Sequence, residues 1–535
     1  VTSCRRALPA KFQFMIHFLL PFFQKIGYNT RGDPPKHSEI QETTMRILYD
    51  STQLKYKTPF GTLTPGQMCT MTMYVPSSVQ ATKVTCILNH EYGAMAQEVT
   101  LEYKMKRGAY DIFQGKFSIP EPGLFFYYFY ITTRTGGFRL FKQGDDTNME
   151  AGDLWQVSCV PAGFTTPDWA KGATIYQVFP DRFHKVGKCD LTGKLEPYTV
   201  HSNWYDEVDW RPTPEGLVLN NDFYGGNFKG ITEKMDYIAS LGTTILYLNP
   251  VSKSFSSHRY DTGDYKTPDP MLGTMADFKA MCDAAHANGI KVILDGVYSH
   301  TGSDSLYFNK NNNFAGKGAF QSTESPYISW YTFHHWPHNY NSWWNFDTLP
   351  TVNKMDPEFI KYIITDEDSV VAHWLKLGAD GFRLDVVDEL PDEFVLRLKE
   401  RIREIKPDAL LIGEVWEDAS NKCSYSRRRR YYLGNELDGV MNYPVRSGII
   451  DFLLLRKAIY YILLGDIHLA GLLSFRSRTR LFLLQSIVQF LSRDIESCAT
   501  HCAFLSKMFR IMQCNVINFL GSIHILNHNT KLLAT

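Results

Sequence analysis

Short apolar runs, each broken by proline or glycine, fill the chain between Met45 and about Val160. The segments CTMTMYV, KVTCIL, LFFYYFYITT and GFRLF are rich in β-branched and aromatic residues. Apolar alternation between turn signals is typical of strands with one buried face. The pattern predicts an all-β sandwich over residues 45–165, and PAGFTTP (161–167) predicts the linker that follows it.

From Trp169 onward, strands alternate with amphipathic helices. The strand segments include ATIYQVF, TTILYLNPV, KVILDGV, GFRLDVV and ALLIGEVW, and the helical segments include MADFKAMCDAAHANG and DEFVLRLKERIREIKPD. Such alternation predicts βαβ units and a parallel sheet, hence the α/β class. We favour a (β/α)8 TIM barrel over 166–535 because polar residues recur at the carboxyl ends of the strands. No glycine-rich phosphate loop follows the first strand, which argues against an open doubly wound sheet.

Three further segments depart from this alternation. The aromatic stretch 300–357 is too long for an ordinary loop and predicts an inserted B subdomain, with its tryptophans either in the core or in contact with a ligand. Residues 1–44 predict a leader that belongs to no domain, with a signal peptide as the alternative. From about residue 451 the chain loses its periodicity and its proline, and charges interrupt every apolar run. We expect this atypical tail to be damaged or poorly packed sequence and the barrel to be incomplete at its C-terminus.

Composition excludes several partners. Lys+Arg and Asp+Glu are equal at 56 each, so no global charge favours nucleic acid or an anionic membrane. The ten cysteines form no CxxC pair. We therefore expect free thiols and a cytoplasmic location, with secretion as the alternative. The run Arg427–Arg430 predicts a solvated surface segment or local sequence damage.

The carboxyl ends of three predicted strands carry the candidate chemistry, in LDGVYSH, GFRLDVVDE and LIGEVWED. Their polar and aromatic residues are Asp295 and His300, then Arg383, Asp385, Asp388 and Glu389, then Glu414 and Trp416. One acidic residue after a strand is commonly only the cap of the next helix. Three such strand ends in order indicate a catalytic site, since barrel enzymes place their chemistry at this edge.

Asp385 and Glu414 together predict glycosidic bond cleavage. Because they follow neighbouring strands, their carboxyl groups can face each other at the spacing of roughly 5–5.5 Å that retaining glycosidases use. Arg383 lies on the same strand face as Asp385, where its guanidinium would keep a nucleophile ionised. Trp416 would exclude water and raise the pKa of Glu414, as an acid/base requires.

These segments resemble the first three signature regions of the α-amylase family of glycoside hydrolases. LPTVN (349–353) is similar to the extra segment of its neopullulanase, cyclomaltodextrinase and maltogenic amylase branch. YGGNFKGITEKMDYIASLGTTILYLNPV and SSHRYDTGDY fit the early barrel units, and the resemblance covers roughly residues 60–450. It implies a barrel with an inserted subdomain and an N-terminal β domain.

The resemblance also implies roles for individual residues. Asp385 would be the nucleophile, Glu414 the acid/base, and Tyr260 the platform on which the sugar stacks. The remaining roles are sugar contacts for His300, Arg383 and His258, a framework role for Asp295, and acceptor-side positions for Asp388 and Glu389.

We therefore expect retaining hydrolysis of α-1,4-glucans such as starch, maltooligosaccharides, pullulan or cyclodextrins, with α-1,6 linkages open. A 4-α-glucanotransferase and an inactive or truncated glucan-binding homologue are the alternatives. The partner is an α-glucan, without nucleic acid or membrane, and a homodimer through the N-terminal domain is an open alternative to a monomer. Calcium is a candidate cofactor from the resemblance, but DRFHKVGKCD lacks the Asn-Gly-Asp ligand run and Ser299 replaces a common Asn, so no cofactor is predicted with certainty.

One expected motif is missing. The family's fourth region carries a third carboxylate in a His-Asp pair, but the best candidate, INFLGSIHILNHNT, has Ile523-His524 at that position. Because such a carboxylate strengthens its hydrogen bonds in the transition state, we expect feeble hydrolysis from the chain as written.

Overall fold

The structure is a computed structural model that describes residues 46–453, apart from 145, 215, 217 and 432. The predicted leader, the fourth-region candidate and all but the first residues of the atypical tail therefore lie outside the described residues. The chain separates into two units after Ile47, and every feature below belongs to the unit that begins at Leu48.

The first domain is an antiparallel sheet of nine strands. The order is β1-β2-β5-β4-β3-β6-β7-β8, and β9 pairs with β6. The strands are β1 (Lys57–Thr58), β2 (Cys69–Pro76), β3 (Ala81–His90), β4 (Met95–Arg107), β5 (Tyr110–Phe117), β6 (Gly123–Thr133), β7 (Gly136–Gln143), β8 (Asp146–Asn148) and β9 (Trp155–Cys159).

The segment that precedes β1 contacts strands that lie far apart in the sheet. Leu48 bridges to Tyr74 on β2, while the neighbouring Tyr49 hydroxyl lies 2.8 Å from the hydroxyl of Tyr127 on β6. The ring of Tyr49 also packs edge-on against Trp155 on β9, with 5.2 Å between centroids. The antiparallel domain is therefore present as the sequence predicts, and its exact limits at 45 and 165 stay a prediction.

The second domain contains six parallel strands that lie in chain order, β10-β13-β16-β19-β20-β23. Two-stranded ribbons occupy the connections between them. The strands are β10 (Ile175–Val178), β11 (Thr199–Val200), β12 (Asp222–Phe223), β13 (Ile245–Leu248), β14 (Ser252–Lys253), β15 (Asp264–Pro268), β16 (Lys291–Gly296), β17 (Phe333–His335), β18 (Asn339–Tyr340), β19 (Gly381–Leu384), β20 (Leu410–Val415), β21 (Cys423–Ser424), β22 (Arg427–Arg428) and β23 (Gly439–Asn442).

Helices connect most of the six parallel strands. They are α1 (Phe228–Glu233), α2 (Met235–Ser240), α3 (Met275–Ala287), α4 (Pro357–Ile360), α5 (Val370–Leu377), α6 (Asp392–Ile405) and α7 (Tyr443–Leu453), with a π-helical turn at Lys361–Thr365. In a (β/α)8 barrel, each parallel strand lies next to the one that follows it in the chain. In an open doubly wound sheet, the strand order reverses at one point. The barrel prediction is confirmed for the strands that the described residues contain.

Helix α3 illustrates how the sequence specifies these connections. Thr274 and Asp277 form a capping box at its start, which satisfies backbone N–H groups that a helix leaves unpaired. Its buried residues, Phe278, Met281, Cys282 and Ala285, recur at helical spacing and face the core. Gly289 follows with a φ of 71°, a left-handed conformation that ends the helix and that glycine adopts without steric strain. Among the described residues, no helix is long and apolar enough to cross a bilayer.

The inserted segment 300–357 has an aromatic core over the strand ends. The ring of Phe308 packs on those of Tyr331 and Tyr340, with centroids 4.8 and 4.7 Å away. Trp330 is buried and belongs to this core, whereas Trp344 is 56% exposed. The core role is therefore confirmed for Trp330, and contact of Trp344 with a ligand stays a prediction.

Candidate active site

The register of the parallel strands brings the three predicted strand ends together. Asp295 on β16 lies opposite Arg383 on β19, and Leu384 on β19 lies opposite Gly413 on β20. Asp385, directly after β19, and Glu414, near the end of β20, therefore lie on adjacent strands at the same edge of the sheet. This is the edge at which barrel enzymes hold their reacting groups.

A single guanidinium connects three buried carboxylates. One terminal nitrogen of Arg383 donates to Asp295 at 2.7 Å and to Asp385 at 2.9 Å. The other lies 2.9 Å from Glu414. Because Asp385 and Glu414 contact the same planar guanidinium group, their carboxylates are held close together. This suits the short carboxylate spacing that retaining glycosidases use.

The charge of this cluster differs from the sequence expectation. We predicted that Arg383 would keep Asp385 ionised. Instead, burial, together with the neighbouring charges of Asp295 and Glu414, raises the pKa of Asp385 to about 8 despite the guanidinium. Burial raises the pKa of Asp295 as well. Burial and the neighbouring carboxylates thus outweigh the single positive charge of Arg383, so the cluster retains a proton near neutral pH.

Glu414 is held by groups that the sequence did not indicate. The Tyr443 hydroxyl, just after β23, donates to one carboxylate oxygen at 3.0 Å. The backbone N–H of Val386 donates to the other, also at 3.0 Å. Val386 has a φ of 36°, which is strained for a β-branched residue and aims its N–H at Glu414. Trp416, expected beside this carboxylate, is 43% exposed and packs edge-on against Trp344 at 5.9 Å.

Asp295 is the centre of a hydrogen-bond network. Besides Arg383, it accepts hydrogen bonds from the hydroxyls of Tyr247 at 2.6 Å and Tyr260 at 2.9 Å. Asn249 donates in turn to the Tyr260 hydroxyl at 3.1 Å. These contacts suit a framework residue, and they fix the ring of Tyr260 beside the carboxylates. Tyr247 and Asn249 had no distinguishing signal in the sequence.

Two histidines complete the wall of the site. His300 is buried, and its Nδ1 lies 2.8 Å from the Ser299 hydroxyl. The Tyr260 backbone also lies within hydrogen-bonding reach of the ring, but burial outweighs this contact and lowers the pKa of His300 to about 3. His258 accepts a hydrogen bond from the Tyr260 backbone at 3.0 Å, and burial lowers its pKa too. Both rings are therefore neutral near pH 7 and can exchange hydrogen bonds with hydroxyl groups.

Asp388 and Glu389 lie on a 3-10 turn, Val387–Glu389, shortly after Asp385. The hydroxyl of Tyr431 donates to Asp388, and that of Tyr425 donates to Glu389, each at 2.6 Å. In the basic run nearby, Arg427 and Arg430 are exposed as expected, whereas Arg429 is buried. Its guanidinium donates to the Leu390 carbonyl at 2.6 Å.

The segment that the resemblance connects with calcium does not fit a cation. The carboxylate of Asp181 already accepts from the backbone N–H groups of Tyr224 and Gly225 and contacts Arg182. Lys185 packs closely beside Gly225, since a methyl group there would lie 3.3 Å from the lysine Cδ. A site with its acid occupied and a lysine beside it lacks the oxygen donors that Ca²⁺ needs. The described residues contain no group of three acidic, histidine or cysteine side chains placed to hold a metal.

Paired carboxylates around an arginine, at the strand ends of a barrel, are the arrangement expected of a glycoside hydrolase. The chain belongs to the α-amylase family, since residues 177–457 match the family description "Alpha amylase, catalytic domain".

Three curated relatives illustrate the likeness. An amylopullulanase from Thermoanaerobacter thermohydrosulfuricus is 33% identical over 454 residues, which is 76% of this chain and 30% of that protein. Neopullulanase 2 from Thermoactinomyces vulgaris is 32% identical over 67% of this chain and 56% of its own length. A cyclomaltodextrinase from Thermoanaerobacter pseudethanolicus is 33% identical over 62% and 54%, respectively. This chain thus spans between about a third and just over half of these relatives.

Proposed function

We propose that this protein cleaves α-1,4-linked glucans by a retaining, two-step mechanism, with α-1,6 linkages as further candidates. The observation that carries the proposal is the contact of one guanidinium, that of Arg383, with both Asp385 and Glu414. The names of the relatives point to pullulan and cyclomaltodextrins as substrates. These are α-glucans, in line with the neutral, aromatic and hydroxyl-binding wall of the site.

In the first step, the Asp385 carboxylate attacks the anomeric carbon while Glu414 gives its proton to the departing glycosidic oxygen. A glycosyl ester on Asp385 forms, and the first sugar product leaves with that proton. In the second step, Glu414 takes a proton from water, the water oxygen attacks the same carbon, and the ester breaks. Two displacements on one carbon return the original α configuration.

The proton that the carboxylate cluster retains is the one that the first step of this mechanism needs. Three carboxylates around Arg383 retain a proton near neutral pH, as the raised pKa of Asp385 indicates. Before the attack that proton must reside on Glu414, so that Asp385 is ionised. Tyr443 and Val386 orient the Glu414 carboxyl group toward this exchange, and Arg383 stabilises the negative charge left on Asp385.

The surrounding residues would hold the sugar at the cleavage position. Tyr260, fixed through Asp295, offers a ring face for stacking. The neutral ring of His300, buried next to the Tyr260 backbone, is suited to exchange a hydrogen bond with a sugar hydroxyl.

Transfer of the glycosyl group to a second sugar is the alternative outcome of the same first step. Trp416, two residues after Glu414 in the chain, forms an exposed edge-on pair with Trp344, and such rings could stack on an acceptor sugar in place of water. The ratio of transfer to hydrolysis products distinguishes the two activities. For the location, we propose the cytoplasm, with support from the six described cysteines, all of which are free.

Substitution of the two carboxylates tests the proposal. Asp385→Asn and Glu414→Gln should each lower turnover of maltooligosaccharides by at least ~10³-fold, since each removes a reacting group. Binding of maltotetraose, measured by calorimetry, should change little. Asp283→Asn, on the exposed face of α3, is the matched control. Turnover retained within tenfold in either active-site variant would contradict the assignment.

A further inference from the structure

The connection between β20 and β23 contacts both domains. Residues 420–431, here called the strap, contain the ribbon formed by β21 and β22. At its tip, Tyr425 and Ser426 adopt left-handed backbone conformations with φ of 50° and 61°. This reversal directs one side of the strap toward the 3-10 turn after Asp385 and the other toward the antiparallel domain.

On the barrel side, the strap holds both acceptor-side carboxylates. Asp388 accepts a hydrogen bond from the Tyr431 hydroxyl at 2.6 Å and forms an ion pair with the Lys422 ammonium at 3.1 Å. Glu389 accepts a hydrogen bond from the Tyr425 hydroxyl at 2.6 Å. These donors fix side chains that would otherwise sample several rotamers, and charge-assisted hydrogen bonds are strong enough to select one.

Arg429 adds a contact to the backbone of the same turn. Its guanidinium donates to the carbonyl of Leu390 at 2.6 Å and to that of Val387 at 3.3 Å, and it lies 3.2 Å from Asp392. The strap thus holds both the side chains and the main chain of the segment 387–392.

On the other side, the strap docks on the antiparallel domain. Arg430 lies 3.0 Å from the carboxylate of Glu91, whose side chain is only 11% exposed. Arg428 approaches the same carboxylate at 4.0 Å. The Asn421 amide donates to the Gln156 side chain at 3.0 Å, which itself donates to the Ser420 carbonyl at 3.1 Å.

We propose that the antiparallel domain positions the acceptor side of the cleft through the strap, and that Glu91 is a remote specificity-determining residue. Glu91 touches no reacting group, so it is a positioning residue. Its carboxylate neutralises the charges of Arg430 and Arg428, which holds the strap against the antiparallel domain. The strap in turn keeps Asp388 and Glu389 in one orientation. This inference rests on the proposed function, because it assigns the two carboxylates to the sugar that leaves first.

Kinetics with two substrates test the inference. Glu91→Gln should raise KM for maltotetraose about three- to tenfold while leaving kcat within twofold. For 4-nitrophenyl α-maltoside, which has no sugar on the acceptor side, both constants should stay unchanged. Glu98→Gln, an exposed residue of β4, is the matched control. Equal effects on both substrates, or no effect on either, would overturn the inference.

Hydrogen exchange of the whole chain, followed by mass spectrometry, separates this inference from the proposed function. In Glu91→Gln, exchange of the amides in 387–392 should accelerate at least threefold, whereas Glu98→Gln should leave them unchanged. Acceleration confined to the residues around position 91 would contradict the coupling. A wild-type chain that cleaves neither substrate refutes the proposed function, and the exchange result then decides the coupling by itself.

Discussion

Replacing Asp385 with Asn should stabilise the folded chain, and more at pH 8 than at pH 5. In the folded chain the pKa of Asp385 is raised to about 8, whereas in the unfolded chain it lies at about 3.9. The folded state therefore binds the proton more tightly, and stability falls as pH rises from the lower value to the higher one. At about 1.36 kcal/mol per pKa unit, the loss between pH 5 and pH 8 is at most ~4 kcal/mol.

The variant should recover part of that loss. Asn has nearly the same shape and can still accept a hydrogen bond from Arg383, but it cannot ionise. Because burial also raises the pKa of the neighbouring Asp295, titration of that group offsets some of the gain. We expect Asp385→Asn to add about 1–3 kcal/mol more to the free energy of unfolding at pH 8 than at pH 5.

Urea denaturation followed by tryptophan fluorescence measures this difference directly. Wild type and variant are compared at both pH values, and the exposed Asp283→Asn serves as the control. A stabilisation that is equal at the two pH values, or larger at pH 5, would refute the raised pKa and with it the retained proton.

Three further results are expected. The kcat/KM of the wild type should fall on the alkaline side with a midpoint near the pKa of about 8 given for Asp385, because the shared proton is lost there; a flat profile from pH 7 to 9.5 would contradict this. Tyr443→Phe should lower kcat about tenfold, or ~1.4 kcal/mol, since Glu414 loses an orienting donor, and an unchanged kcat would remove Tyr443 from the site. Thr274→Ala should lower the free energy of unfolding by about 1 kcal/mol through loss of the α3 cap, measured in urea, whereas Thr82→Ala should not.

The architecture was predictable because its signals are local. Alternating apolar residues and turn signals indicated β2, β3, β6 and β7 of the antiparallel sheet and five of the six parallel strands. The acidic strand ends indicated one edge of the parallel sheet. Strand β4 was missed because, of its 13 residues, only Val99 and Leu101 are buried, so it carries little apolar pattern. The segment ITEKMDYIASLG has the apolar spacing of a single helix, but the structure divides it at Lys234 into α1 and α2, a break that the spacing does not reveal.

The electrostatics of the site were less predictable, since they depend on neighbours from several strands. Arg383 next to Asp385 suggested a lowered pKa, but burial and two other carboxylates outweigh that single contact. Tyr443 carries no signal, because a tyrosine at a strand end is equally suited to packing. The partners of the arginine run could not be predicted either, since only the fold places Glu91 opposite Arg430.

The anomeric form of the first product tests the central claim most directly. Proton NMR during the first turnovers of maltotetraose, before mutarotation, distinguishes the two anomers. If Asp385 is the nucleophile and Glu414 the acid/base, the reducing sugar released at the cleaved bond should be the α-anomer, because two displacements retain the configuration. Initial formation of the β-anomer would contradict the account, since it requires a single displacement by water.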